Sequence, residues 1–414
     1  MYFFIEAISL VMIFFMTLFI ANKIQTNNTI PTYKNHTIIA YLLVIFIHAV
    51  VSIWNGFYGP IYGATNDALE FHRAAVLYFD ENSSANLLIP GWVYSIFLAI
   101  VYQATHQSWA IGCLLSTLFF GLLCVASVNL YNTLVVHKNE SCNKSNTIHA
   151  MIILLIGLIP SSIILTSITM REVFQMLFLC LTLIYSVKYI QMKSYKYLFL
   201  LVTMLTLFAS LHSSFWYYSV VYLMAFLCFQ FRHMLHARKP FIIWGLIFGL
   251  LCFLFIANID PLYTAISKFI DGANKADSGS ARAYYGLPEV GSDIFSIIDF
   301  VAISFFNYMT RPFLWEMTSI IDITVIVENV MRLFFIWRIF ILRRYLSASI
   351  VWVLFAAFLL ELLWGMGTLN WGTAQRHHLV AWPLFVVSYF AVLSRYKASQ
   401  ASVAISKLSL KLIR

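Results

Sequence analysis

The chain has 414 residues, of which 61% are apolar and only 10% charged, against about 25% charged in a soluble domain. With a mean hydropathy of +0.83, this composition excludes an ordinary water-soluble enzyme. The net charge of +9 is carried at helix ends and in the tail (Arg395, Lys397, Lys407, Lys411, Arg414), where membrane topology accounts for it without nucleic acid as a partner.

Apolar runs of roughly 17–25 residues recur along the whole length, each long enough to cross about 30 Å of hydrocarbon as a helix. In chain order the spans are expected at 2–21, 37–54, 109–130, 149–167, 172–190, 196–211, 214–231, 241–257, 319–341, 347–366 and 377–395. The expected fold class is all-α: a polytopic transmembrane bundle of about eleven spans, forming one integral membrane domain over residues 1–414. MYFFIEA carries Glu6 and no Lys or Arg, so the N-terminus reads as a first helix starting outside and not as a cleaved signal. Five of the six cysteines lie inside apolar runs and Cys142 stands alone in a loop, which supports neither a disulfide framework nor a zinc site.

Charge bias orients the spans. The loops with Lys23/Lys34, Lys138/Lys144, Lys188/Lys193/Lys196, Arg232/Arg238/Lys239 and Arg343/Arg344 share the cytoplasmic side only if two apolar stretches, 88–104 and 296–310, do not cross. The C-terminus then lies inside. Two long external loops emerge: 55–108, holding a re-entrant or interfacial helix, and 258–318. Shorter external turns fall at 168–172, near 212–214 and at 367–376. No internal repeat is evident.

The spare polar chemistry collects on the external side. In the first loop, YGATNDALEFHRAA brings Asp67, Glu70, His72 and Arg73 within seven residues. As a helix it would put Asp67 with Glu70, and Glu70 with Arg73, on one face. The turn PSSIILTSITMREV has Pro160 in the preceding helix and opens the next one with Arg171-Glu172, where the positive helix end favours the carboxylate. The second loop carries SGSARAYYG, with Arg282, and YMTRPFLWEM, with Arg311 and Glu316. The last turn, LNWGTAQRHH, holds Asn370, Arg376, His377 and His378. External arginines suit a phosphate, because the planar guanidinium donates two parallel hydrogen bonds. Plainer readings stand beside this one. Arg73 and Arg171 can pair with Glu70 and Glu172, Arg311 and Glu316 can clamp their own loop, and His377 and His378 can simply pack at the membrane boundary. His48, Asp322 and Glu361 are costly intramembrane polar groups with no partner assignable from sequence. Trp54, Trp315 and Trp371 sit where a sugar ring could stack.

Together TNDALEFH, PSSIILTSITMREV, TRPFLWE with the following Glu328-Asn329, and NWGTAQRHH resemble bacterial Wzy-type polymerases of O-antigen and capsule repeat units. The wider group is the membrane-embedded GT-C glycosyltransferases. The pieces occur in the order expected for that group and span most of the chain, although no single one is specific. The resemblance implies a GT-C-like bundle in the bacterial inner membrane with a periplasmic active face. The implied reaction transfers a growing glycan from undecaprenyl diphosphate to an incoming lipid-linked repeat unit. The implied partners are that lipid-linked oligosaccharide and membrane lipid, with a chain-length regulator as an optional further one.

On the resemblance, Asp67 maps to the acidic residue of the first outer loop and leads as general base, with Glu70 and His72 behind it. Arg171, Arg282, Arg311 and Arg376 would hold the diphosphate, joined by Arg73. Glu172, Glu316, Asn370 and His377 would orient them or bind sugar hydroxyls. No DxD pair is present, so a reaction without metal or other cofactor is favoured, the arginines stabilising the leaving group, although Asp67 with Glu70 could still hold a divalent cation. Two other readings remain open: a GT-C transferase using a polyprenyl-phosphate sugar, and a lipid-linked oligosaccharide flippase or transporter.

Overall fold

The computed structural model describes residues 34–61, 65–78, 93–135, 145–231, 294–368 and 370–412, together with Met16, Phe19 and Ala283. Among these, the regular elements are helices. In chain order they are α1 (Lys34–Tyr58), α2 (Thr65–Leu77), α3 (Val93–Ala104), α4 (Trp109–Val135), α5 (Ser145–Gly157), α6 (Pro160–Leu165) and α7 (Glu172–Met192). Then come α8 (Tyr195–Ser210), α9 (Ser213–Phe231), α10 (Ile294–Thr310), α11 (Ile320–Ile341), α12 (Ala348–Gly365) and α13 (Trp371–Leu412). Five stretches are long and apolar enough to cross a membrane: His36–Tyr58, Trp109–Val135, Glu172–Met192, Ala348–Gly365 and Trp371–Val403. They coincide with the spans expected at 37–54, 109–130, 172–190, 347–366 and 377–395. Four other expected spans form helices that are shorter (α5, α8) or more polar (α9, α11). The spans expected at 2–21 and 241–257 lie outside the described residues. The stretch 88–104 contains α3, whose 12 residues rise about 18 Å, less than the hydrocarbon thickness.

The chain divides into two compact units. The first comprises Met1–Trp216, Arg332–Ala357 and Leu379–Arg414, and the second Tyr217–Met331 and Phe358–His378.

In the first unit, α4 is apolar on every side and buried over most of its length; Cys113, Phe120, Leu123 and Cys124 have no exposed surface. α1 packs on α4, α5 and α6, α7 lies between α4 and α8, and α2 rests on α3. α1 is amphipathic in the sense a membrane requires. Ile39, Leu43, Phe46, Val50 and Trp54 form its exposed face, while His48, Ser52 and Asn55 are buried. Lipid solvates the apolar face at no cost, whereas the polar groups need partners and therefore turn inward. Gly56 allows α1 to meet α4 closely, since a Cβ there would sit 2.6 Å from the Ala110 Cα. Gly56→Ala is expected to destabilise the protein by about 1–3 kcal/mol through overpacking. This should register as a lower melting temperature in detergent. Gly372→Ala, with no neighbour nearer than 3.5 Å, serves as the control and should leave the melt unchanged or raise it.

The single span expected over 149–167 is two helices. Proline has no N–H, and its ring would strike the carbonyl four residues back, so α5 stops at Gly157 and α6 restarts with Pro160 at its first position. The break frees carbonyls inside an apolar bundle, where each unsatisfied one costs several kcal/mol. Side chains fill them: the Trp382 indole N–H donates to the Leu155 carbonyl at 2.9 Å, and His48 Nε2–H to the Gly157 carbonyl at 2.9 Å. His48 stacks on Phe120 at 4.1 Å, with its Nδ1 2.9 Å from the Thr166 hydroxyl. That donation identifies the partner of a buried histidine that sequence left unassigned.

In the second unit, the first turns of α13 are held by carboxylates from α11 and α12. The Trp371 indole N–H donates to Asp322 at 3.0 Å and the Gln375 amide to Glu328 at 3.1 Å. His378 Nδ1 meets Glu361 at 2.6 Å, and its Nε2–H donates to the Tyr308 carbonyl at 2.9 Å. Positions 371, 375 and 378 lie on one helical face, so a single stripe carries all four contacts. Asp322 also accepts from the backbone of Thr318 and Ser319, at 2.9 Å each, and so fixes the entry to α11.

Candidate functional site

The sequence-predicted residues fall into two groups, one in each unit. In the first unit, α2 carries Asp67, Glu70, His72 and Arg73, and it rests beside the turn 166–171 that leads into α7. The Thr169 hydroxyl donates to the Ala68 carbonyl at 3.1 Å, and the Arg171 guanidinium lies 5.3 Å over the Phe71 ring. Arg171 also donates to the Leu211 carbonyl at 3.3 Å. Glu172 opens α7 and is buried. Asp67 is half-buried in the first turn of α2, and Glu70 and Arg73 are exposed on its outer side.

His72 is half-buried and shares a 2.8 Å hydrogen bond with the Tyr102 hydroxyl, its ring edge-on to Trp109 at 5.1 Å. Burial, reinforced by the Arg73 charge beside it, holds His72 below the ordinary histidine range. It is therefore neutral near pH 7, the state in which an imidazole can take a proton.

The turn bearing Arg171 is suspended from α1. The Ser167 carbonyl accepts from the Asn55 amide at 2.9 Å and from the Ser52 hydroxyl at 3.1 Å. Asn55 Oδ1 in turn accepts from the Ile61 backbone at 2.9 Å, so one side chain holds both the turn and the start of the first loop. Sequence reasoning missed Ser52, Asn55 and Tyr102. The signal for the first two was the spacing of His48, Ser52 and Asn55 on one helical face.

The second unit holds Arg311, Glu316, Asn370, Arg376 and His377. Arg311 and Glu316 form the loop clamp, with Nη1 to Oε1 at 3.2 Å. Glu316 also accepts from the Phe313 backbone at 2.8 Å. The Asn329 amide donates to the Arg311 carbonyl at 2.8 Å, joining the two pieces TRPFLWE and Glu328-Asn329. Asn370 Oδ1 caps α13 by accepting from the Thr373 backbone at 2.7 Å. His377 is packed: its ring stacks on Trp364 at 3.6 Å. Its Nδ1 is 2.9 Å from the Thr368 hydroxyl, which itself donates to the Trp364 carbonyl at 2.7 Å. A hydroxyl has one proton, so His377 carries its own on Nδ1. Arg376 is half-buried.

Two expectations need correction or placement. Trp371 is not a sugar platform, because it is 5% exposed and its N–H serves Asp322; Trp54 and Trp315 do present exposed faces. Arg282 lies outside the described residues. Among the described residues, no three His, Cys, Asp or Glu side chains gather as metal ligands. Compared with protein-family models, with curated proteins and with solved structures, the chain matches none.

Proposed function

We propose that the chain is a bacterial Wzy-type polymerase, a GT-C-like bundle of about eleven spans in the inner membrane. It joins undecaprenyl-diphosphate-linked repeat units into surface polysaccharide on the periplasmic face. The observation that carries this reading is the seating of the acidic helix α2 beside the Arg171-Glu172 turn. The seating brings candidate base and candidate phosphate contact to one end of a membrane-spanning unit.

In the reaction, the bond between the donor sugar and undecaprenyl diphosphate breaks. A hydroxyl of the acceptor's terminal sugar forms the new glycosidic bond and gives its proton to Asp67, with Glu70 and His72 the next candidates. The departing diphosphate gathers negative charge, which Arg171, Arg282, Arg311 and Arg376 neutralise without a metal. Arg73 joins them, and Glu172, Glu316, Asn370 and His377 orient the set. A chain-length regulator and membrane lipid complete the partners. The Arg311–Glu316 clamp favours a second reading, in which fewer arginines serve a polyprenyl monophosphate sugar donor.

Gene deletion followed by electrophoresis of the surface polysaccharide separates the two. Loss of the ladder with a single capped repeat retained is the expected result. An unchanged ladder with altered side branches would favour the monophosphate-dependent transferase.

A further inference from the structure

Among the described residues, the end of the first unit remote from α2 gathers several cations and aromatic rings. Four contacts bring its parts together. Gln191 donates to the Thr133 carbonyl at 2.9 Å, joining the ends of α7 and α4. The Tyr131 hydroxyl meets Ser394 at 2.8 Å, adding α13. Arg395 Nε–H donates to the Tyr345 carbonyl at 3.0 Å, and Tyr345 packs edge-on to Tyr396 at 5.2 Å, adding the turn Arg343–Tyr345 after α11.

Among the described residues, the charges at this end have one sign. Segments 173–216, 332–357 and 379–412 contain no Asp or Glu, yet include Lys188, Arg338, Arg343, Arg344, Arg395 and Lys397. Arg343 is held in place: its guanidinium lies 4.7 Å over the Phe340 ring and donates to the Phe340 carbonyl at 3.3 Å. Arg343, Arg344 and Lys397 are exposed. Next to them the last turns of α11 expose large apolar side chains, Trp337 at 55% and Phe340 at 63%.

We propose that the corner formed by Arg343, Arg344, Arg395 and Lys397 binds the phosphate headgroup of an anionic phospholipid, whose acyl chains lie along Trp337 and Ile341. The guanidinium fork matches phosphate oxygens bidentately, and neighbouring cations without carboxylates attract an anionic headgroup. The adjoining exposed ridge of Trp337 and Phe340 faces lipid, so a phospholipid can meet the cations with its headgroup and the ridge with its acyl chains, which a soluble anion cannot. The proposal is independent of the polymerase reading.

The test titrates the purified full-length protein, in neutral detergent, with dioleoylphosphatidylglycerol or dioleoylphosphatidylcholine and follows the melting temperature. The wild type should be stabilised by phosphatidylglycerol at lower concentration than by phosphatidylcholine. Arg343→Gln/Arg344→Gln should weaken the phosphatidylglycerol response roughly thirtyfold, at about 1 kcal/mol per cation and 1.4 kcal/mol per tenfold, and leave phosphatidylcholine unaffected. Arg343→Lys/Arg344→Lys should restore part of it. If the Gln pair does not fold, Lys397→Gln alone, at an exposed position, should give a smaller loss of the same kind. An unaltered preference in these variants, or equal responses to the two lipids in the wild type, would overturn the site. So would inorganic phosphate stabilising the wild type as well as the lipid does, since that would make the ligand a soluble anion.

Discussion

Asp67→Asn is expected to lower polymer formation at least about a hundredfold while the protein level holds, because the amide keeps the shape of the side chain and cannot take a proton. Asp67 occupies the first turn of α2. It lies next to Ala68, whose carbonyl accepts from Thr169 in the turn that carries Arg171. Its exposed neighbour Glu70 and its half-buried neighbour His72 are each less suited. Glu70 lies on the outer side of the helix, and His72 is already bonded to Tyr102. Chain-length distributions of surface polysaccharide, compared at matched membrane expression, provide the measurement. A near-normal distribution would remove Asp67 from the chemistry and pass the base role to one of those two.

The largest effect on stability is expected at the Glu361–His378 pair. Both side chains are buried, Glu361 completely, and they meet at 2.6 Å. The Tyr308 carbonyl can only accept, so His378 Nε2 carries a proton, and one further proton is shared between His378 Nδ1 and Glu361. Replacing His378 with Ala leaves Glu361 in the interior without this partner, which costs about 3–5 kcal/mol. It also deletes the His378 contact to the Tyr308 carbonyl, a further tie on the start of α13. The double variant Glu361→Leu/His378→Leu should recover much of that loss, because an apolar pair has no charge to desolvate. Melting curves in detergent for Glu361→Leu, His378→Leu and the double variant form the cycle that isolates the coupling. Strict additivity would show that the pair does not act as a unit.

Much of the candidate site was legible residue by residue, and its internal pairing was not. The spacing in TNDALEFHRAA aligns Asp67, Glu70 and Arg73 on one face only if the stretch is helical, and it is, as α2. Arg171-Glu172 reads as a helix start, and Glu172 opens α7. The Arg311–Glu316 clamp was visible as an option because its members lie five residues apart. By contrast, Arg171 meets the Phe71 ring and the Leu211 carbonyl, both far away in sequence, and no local pattern names them. His377 and His378 are adjacent and look equivalent in sequence. Their places differ because consecutive positions on a helix point about 100° apart, one toward Trp364 and the other toward Glu361.

The sequence by itself determined that this chain is helical and that it has stretches suited to lipid. A helix satisfies its backbone within the segment, and apolar length is a property of consecutive residues. The break at Pro160 also follows from local facts, the missing N–H and the ring clash, although the span expected over 149–167 runs through it. Only the tertiary structure decided how the consequences are met. The Leu155 and Gly157 carbonyls are filled from Trp382 and His48, and Asp322, Glu328 and Glu361 each find a donor on the first turns of α13. A buried polar group in an apolar bundle needs a partner, but any helix brought alongside can supply it. That choice is made by packing, where Gly56 lets two backbones approach and the buried face of α1 carries the residues that hold the turn above it.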